Sequence, residues 1–347
     1  MTSVTQLIKS ALLKIVSKSL DHPSLQPQLQ QKIRHGALSL PKIHDQPHEY
    51  FSVANSNKVQ QRGDIVFVSS RFRSGSTLLW NLFRQSGLYT AYYEPFNERR
   101  WFDKNSRGDG VDNTHRGVDD YWLEYEHLTE LAGFYREDWI RHQLLMTETS
   151  WDPDMQHFIN TMIEKAPKAP LLQFNRTDFR LTWLKHQYPN AKIIHLYRHP
   201  RDQWCSFLTD PVTMNKDTVT ETYVDGFYLN TWCQDLSQHF PMLCPTQTPH
   251  PYQRFYYLWK LSYLYGKTHA DYSLSFEALV TDTKNQLQGL FAALGHPDAP
   301  IEQLCQLIDA PEQERWRSYA DENWFAQHES VCEAELSRWL KGANKEK

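Results

Sequence analysis

The 347-residue chain carries 37 Lys and Arg against 41 Asp and Glu, a formal net charge of −4, which excludes non-specific binding to duplex nucleic acid through overall charge. Hydrophobic residues at 40% and aromatics at 14% exclude disorder over most of the length. A mean hydropathy of −0.66, with no run approaching roughly 18 apolar residues, excludes a transmembrane helix and predicts a soluble protein.

Near the N-terminus Val4, Leu7, Ile8, Ala11, Leu12, Ile15, Val16 and Leu20 recur at helical spacing. Lys14 interrupts the apolar run that a signal peptide requires. Periodicity leaves open whether this helix packs on the domain or lies on a membrane surface or a partner. Residues 21–62, rich in Gln, His, Pro and Ser, read as an irregular lead-in, so 1–62 stands apart from an α/β domain expected over 63–300. Residues 64–69 form a short apolar run suited to a strand buried on both faces, and Ser76–Gln85 follows as a helix. Further strands are expected at Tyr89–Tyr93, 171–175, Lys192–Tyr197 and 272–276. Strands spread among helices predict a three-layer α/β fold with a mostly parallel central sheet of about five strands, P-loop-NTPase-like in plan. Residues 97–170 and 207–265 exceed what a crossover needs and read as insertions that build an acceptor site. A helical extension is expected at 301–347. Cys205, Cys233, Cys244, Cys305 and Cys332 stand at wide spacings, without zinc-ligand intervals, so the reading is reduced thiols, a cytoplasmic compartment and no metal.

The strongest local signal is the loop Ser70-Arg-Phe-Arg-Ser-Gly-Ser-Thr77 between the first strand and its helix. A glycine there lets backbone N–H groups curl around an anion at a helix N-terminus. Against the Walker A pattern, Gly75 and Thr77 match, while Ser70 replaces the first glycine and Ser76 the lysine. Arg73 supplies positive charge in the lysine's absence. A second charged loop, Arg198-His-Pro-Arg-Asp202 with Ser206 beyond it, leaves the strand Lys192–Tyr197 on the same sheet edge. Arg176, Arg180, Lys185, Lys192, Arg198 and Arg201 outnumber Asp178 and Asp202 across this region, a local basic balance suited to two phosphates.

These residues resemble the sulfotransferases that use 3′-phosphoadenosine 5′-phosphosulfate. In that family an R-S-G-[ST]-[ST]-L-L loop holds the 5′-phosphosulfate, and R-x-P-R-D with a serine eight residues after its first arginine holds the 3′-phosphate. Tyr93-Glu-Pro-Phe96 and Ser275-Phe-Glu-Ala-Leu279 are similar to two weaker family segments. The resemblance covers about 64–295. It implies that Arg73, Ser74, Gly75, Ser76 and Thr77 bind the 5′-phosphate end, that Arg198 and Ser206 bind the 3′-phosphate, and that no metal is needed. The resemblance also implies a catalytic part for Arg73 at the bridging oxygen. Glu94 is the candidate base, or an ion-pair partner of Arg73, Arg99 or Arg100, or both. Arg73 in place of lysine points to the carbohydrate and tyrosylprotein branches; the R-K-G segment of the aryl and steroid enzymes is not evident. The expected acceptor is a hydroxyl on a carbohydrate or another polar small molecule. Alternatives are a degenerate P-loop kinase or NTPase, which would depend on Mg²⁺ and ATP, and a non-catalytic nucleotide-binding interaction protein. His195, inside a strand, reads as a core histidine. Arg176 and Arg180 either shape the nucleotide or acceptor edge or serve structure, and Trp101, Trp122, Trp139 and Trp151 are either core or an acceptor platform.

Overall fold

A computed structural model describes residues 56–108, 118–309 and 314–343. The helix expected near the N-terminus, and the lead-in up to residue 55, lie outside the described residues. The end of the lead-in, Ser56–Gln60, is a short helix and not irregular chain.

The described chain runs β1 (Val66–Ser70), α1 (Ser76–Gln85), β2 (Tyr89–Tyr93), α2 (Pro153–Lys165), β3 (Ala169–Phe174), α3 (Leu181–Gln187), β4 (Lys192–Tyr197), α4 (Pro200–Phe207), α5 (Leu229–Leu236), α6 (Pro251–His269), β5 (Tyr272–Ser275), α7 (Phe276–Thr281), α8 (Thr283–Ala293) and α9 (Glu322–Ala343). The strands form one parallel sheet in the order β2-β3-β1-β4-β5. Phe67 of β1 stands between Leu172 of β3 and Ile193 of β4, and every residue of β1 and β2 is buried. A strand covered on both faces has no solvent side to alternate toward, which explains why these segments read as near-continuous apolar runs. The expected α/β class with five strands is what forms.

Boundaries shift by one or two residues for local reasons. Asp64 is held by Arg62, whose Nε and Nη2 donate to its carboxylate at 2.9 and 2.7 Å, so β1 begins later than expected. Phe276 belongs to α7 and not to β5, because the Ser275 hydroxyl accepts the Ala278 N–H at 3.4 Å and caps the helix. The stretch 97–170 holds 3₁₀ turns at Leu123–Tyr125, Thr129–Gly133 and Glu137–Ile140 before α2. Most of 207–265 serves a second core, where Trp204, Trp232, Tyr252, Phe255 and Phe325 pack together from α4, α5, α6 and α9.

His195 lies in β4 as a core residue, and burial pushes its imidazole down to about 4. Its ring occupies the place where a Cβ on Gly266 of α6 would fall, at 2.3 Å. Gly266→Ala should therefore reverse the usual gain of about 1 kcal/mol for this change in a helix, and destabilise by roughly 1–3 kcal/mol through overpacking. Chemical denaturation at neutral pH measures it, and unchanged or raised stability would show that helix and strand separate without cost.

Candidate active site

The chain leaving β1 is built around one buried arginine. Arg71 Nη1 donates to Asp178 Oδ2 at 2.8 Å, both side chains are buried, and the Arg71 guanidinium lies 5.0 Å from the Trp232 ring. Burial pushes Arg71 down and Asp178 up, and each charge offsets part of the other's cost. The Arg71 carbonyl accepts both the backbone N–H of Ser74, at 3.3 Å, and its hydroxyl, at 2.7 Å. Ser74 thus faces inward, and the direct phosphate donation expected of it does not match its placement.

On either side of Ser74 the loop turns through a left-handed residue, Arg73 (φ 64°) before it and Gly75 (φ 91°) after it. A Cβ on Gly75 would lie 2.2 Å from the Phe276 ring, so both conformation and space demand glycine. Gly75 caps α1 with no side-chain hydrogen bond, which leaves the first N–H groups of the helix available to an anion. Gly75, Ser76 and Thr77 line a cavity of about 920 Å³ together with Arg73, Arg198 and Ser206. Thr77 Oγ1 also shares a 2.8 Å hydrogen bond with the phenol of Tyr93, which burial holds well above its ordinary range.

The loops after β1 and β4 clasp each other across this cavity. Arg198 Nη1 donates to the Arg73 carbonyl at 3.2 Å, and Arg73 Nε donates to the Ser206 carbonyl and hydroxyl oxygens at 2.9 and 3.1 Å. The Ser206 hydroxyl accepts in that contact and keeps its hydrogen to donate. Arg198 lies 5.0 Å from the Phe276 ring, its carbonyl accepts from Trp259 Nε1, and its own Nε is buried without a partner among the described residues. Burial pushes its guanidinium down, Asp202 and Glu277 push it up, and Arg315 and Arg73 push it down again. Asp202, four residues after Arg198, forms no ion pair with it among the described residues and accepts the backbone N–H groups of Glu314 and Trp316. An orphaned buried donor beside a glycine-capped helix fits a phosphorylated nucleotide at both of its phosphate ends.

Glu94 follows β2 in a left-handed conformation (φ 40°) and lines the same cavity. Its ion-pair partner is not Arg73, Arg99 or Arg100 but Arg176, whose Nη1 donates to Oε2 at 3.0 Å. Asn97 Nδ2 donates to Oε2 as well, at 2.7 Å, and Asn175 Nδ2 donates to Oε1. Arg176 also donates to Glu98 and lies 4.9 Å from the Phe72 ring. Burial alone would lower Arg176, yet Glu94 and Glu98 outweigh it and hold the guanidinium charged. Arg180 has the structural role: it donates to the carbonyls of Trp139, Arg176, His142 and Gln143 from full burial. Of the four tryptophans in the first long segment, Trp101 lines the cavity; Trp122, Trp139 and Trp151 do not.

Asn97, Asn175, Phe227, Tyr228, Phe276 and Arg315 line the cavity without having been singled out by sequence. Two of them had a usable signal, Asn175 in its place just past the carboxyl end of β3 and Phe276 in the segment Ser275-Phe-Glu-Ala-Leu279. Among the described residues no group of His, Cys, Asp and Glu is placed to hold a metal, and no helix is long and apolar enough to cross a membrane.

Comparison with solved structures finds likenesses at low identity. The sulfotransferase domain from the curacin biosynthetic pathway aligns at 16% identity over 80% of this chain and 98% of that one, with a TM-score of 0.40. The sulfotransferase STF9 of Mycobacterium avium aligns at 12% over 80% and 76%, with 0.42. The sulfotransferase domain of the Synechococcus PCC 7002 olefin synthase aligns at 18% over 75% and 82%, with 0.34. No curated protein matches the chain. A sulfotransferase family model matches residues 65–300, a span that takes in the whole sheet, both arginine loops and Glu94. The chain belongs to the sulfotransferase family.

Proposed function

We propose that this sulfotransferase moves the sulfuryl group from 3′-phosphoadenosine 5′-phosphosulfate to a hydroxyl of a carbohydrate or another polar small molecule. The clasp of two arginine loops over one cavity carries the reading: Arg198 bonded to the Arg73 carbonyl, Arg73 bonded to Ser206, and the glycine-capped start of α1 beside them. In this reading the backbone N–H groups of Gly75, Ser76 and Thr77 hold the 5′-phosphate, and Arg198 with Ser206 holds the 3′-phosphate. Ser74 contributes by fixing the turn through the Arg71 carbonyl. The donor, when bound, supplies an activated sulfuryl group on a nucleotide bisphosphate leaving group. Arg73 offsets the charge that develops on the bridging oxygen. Residues 63–300 make the catalytic domain in this proposal and 301–347 an extension of it. The five cysteines form no disulfide, which supports a cytoplasmic setting as part of the same proposal.

Glu94 is the proposed base. Its Oε2 accepts from Asn97 and Arg176 and its Oε1 accepts from Asn175, with the Tyr93 phenol also interacting with the carboxylate. The carboxylate receives the acceptor's proton in this reading, while Arg176 and the two amides fix its plane. Trp101, Tyr121 and Tyr228 give the cavity flat aromatic walls against which a sugar ring would rest.

Glu94→Gln should lower turnover about a hundredfold or more while leaving the affinity for 3′,5′-adenosine bisphosphate nearly intact. Steady-state kinetics beside calorimetry separates the two effects, and unchanged turnover removes Glu94 from the role. Arg198→Ala should weaken the bisphosphate by roughly 1.5–3 kcal/mol and barely affect adenosine 5′-phosphosulfate, which lacks the 3′-phosphate. Equal losses for both ligands would contradict the placement of Arg198.

A further inference from the structure

One phenol joins the start of α1 to the carboxylate across the cavity. Tyr93 is the last residue of β2, directly before Glu94, and lines the cavity together with Glu94 and Thr77. Its hydroxyl shares a 2.8 Å hydrogen bond with Thr77 Oγ1 on one side and is hydrogen-bonded to the Glu94 carboxylate on the other. The ring itself is held in place. It stacks on Tyr121 with centroids 4.8 Å apart, lies 4.8 Å from the Trp80 ring, and the Tyr93 carbonyl accepts the Tyr125 hydroxyl at 3.0 Å. The hydroxyl hydrogen keeps its freedom to turn about the C–O bond.

Elementary chemistry fixes the direction of this chain. An ionised carboxylate can accept but not donate, so the one hydrogen of the Tyr93 hydroxyl goes to Glu94, and the 2.8 Å contact is a donation from Thr77 to the phenol oxygen. Burial first, and then the Glu94 charge, hold the phenol well above its ordinary range, so that hydrogen stays on the Tyr93 oxygen. Thr77 spends its hydrogen on Tyr93, and Tyr93 spends its own on Glu94.

Glu94 is correspondingly full. A carboxylate offers about four lone-pair sites. Asn97, Arg176, Asn175 and Tyr93 all donate to this one. Two of these partners are anchored a second time, because Arg176 also reaches Glu98 and Asn175 also accepts from Ser70 and Gln173. Tyr93 is the hydroxyl of the set, and a second oxygen, Thr77 Oγ1, already lies within its reach.

We propose that Tyr93 is a positioning residue that ties the base to occupancy of the phosphate site. Without an anion at the start of α1, Thr77 donates to Tyr93 and Tyr93 to Glu94. With one, Thr77 turns its hydrogen to the phosphate, Tyr93 turns its own to the Thr77 oxygen, and Glu94 gains a lone pair for the acceptor's hydroxyl hydrogen. A hydrogen bond to a phosphate is stronger than one to a phenol, which drives the turn, and no atom heavier than hydrogen has to move. The proposal rests on the readings of Glu94 as base and of α1 as the 5′-phosphate site.

The test combines calorimetric titration of 3′,5′-adenosine bisphosphate with steady-state kinetics at saturating donor, on the full chain, for wild type, Thr77→Val, Thr77→Ser, Tyr93→Phe, the Thr77→Val/Tyr93→Phe double variant and Glu94→Gln. Thr77→Val removes the oxygen to which Tyr93 turns, so it should raise the bisphosphate Kd about fivefold and lower kcat about tenfold, and Thr77→Ser should restore both. Tyr93→Phe releases the Thr77 hydrogen in advance, so the bisphosphate should bind about threefold more tightly than in wild type. The double variant leaves no phenol on Glu94 and should recover most of the kcat lost in Thr77→Val, two substitutions doing less harm than one. A double variant no faster than Thr77→Val, or a Tyr93→Phe that weakens the bisphosphate as Thr77→Val does, would overturn the proposal and leave Tyr93 a structural role. Glu94→Gln at wild-type turnover would overturn the base reading instead, and wild type that binds no bisphosphate the donor reading, and the proposal falls with either. Thermal melts separate a lost fold from a lost contact. If the Tyr93 variants do not fold, Thr77→Val carries the test: a kcat at saturating donor equal to that of wild type overturns the proposal, and a tenfold loss rescued by Thr77→Ser supports it.

Discussion

Much of the site depends on what Arg71 does at the end of β1. Its side chain reaches across to Asp178 after β3, and its carbonyl receives both donors of Ser74. One residue therefore links the central strand to its neighbour and bends the loop that follows. Burying this pair is costly for both charges, as their opposite shifts show, and the Trp232 face and the Ser69 hydroxyl, which donates to Asp178 at 3.3 Å, offset part of that cost. Released from Arg71, the chain would have no reason to place Arg73 and Gly75 in left-handed conformations facing the β4 loop.

The same logic of charge held by neighbours recurs on the other side of the cavity. Arg176 sits between Glu94 and Glu98 while two amides also hold Glu94. Asn175, one of those amides, accepts from the Ser70 hydroxyl at 2.9 Å and from Gln173 at 2.8 Å. A continuous polar chain thus runs from the carboxyl ends of β1 and β3 to the carboxylate facing the cavity. Such a chain keeps the carboxylate in one orientation, as the proposed role of Glu94 as a base requires.

The heavy aromatic content has a structural explanation in these arginines. Arg71 lies over Trp232, Arg176 over Phe72, Arg198 over Phe276, and Arg201 over Trp316. A flat ring accepts a guanidinium face without competing for its in-plane donors, so the edge stays available for a carboxylate, a carbonyl or a phosphate. Where Phe276 performs this service for Arg198 it also excludes any side chain at Gly75, so two motifs about 200 residues apart constrain each other.

The sequence alone determined the class of fold, because a strand buried on both faces, a glycine loop and a helix start are local patterns that need no partner to be read. Gly75, Thr77, Arg198 and Ser206 were legible for the same reason: spacing along the chain carries their signal. The tertiary structure alone decided that Ser74 turns inward, that Glu94 pairs with Arg176 and not with Arg73, Arg99 or Arg100, and that Arg315 reaches the cavity from beyond the family span. The last two join residues 82 and 112 or more positions apart, and their geometry follows from which helix covers which sheet edge. Ser74 differs only in kind of cause: its bond is local, but the direction of the Arg71 carbonyl is set by Asp178, more than a hundred residues away. Periodicity and motif spacing contain no term for such pairings, since any of several arginines satisfies a carboxylate equally well until packing brings one of them near.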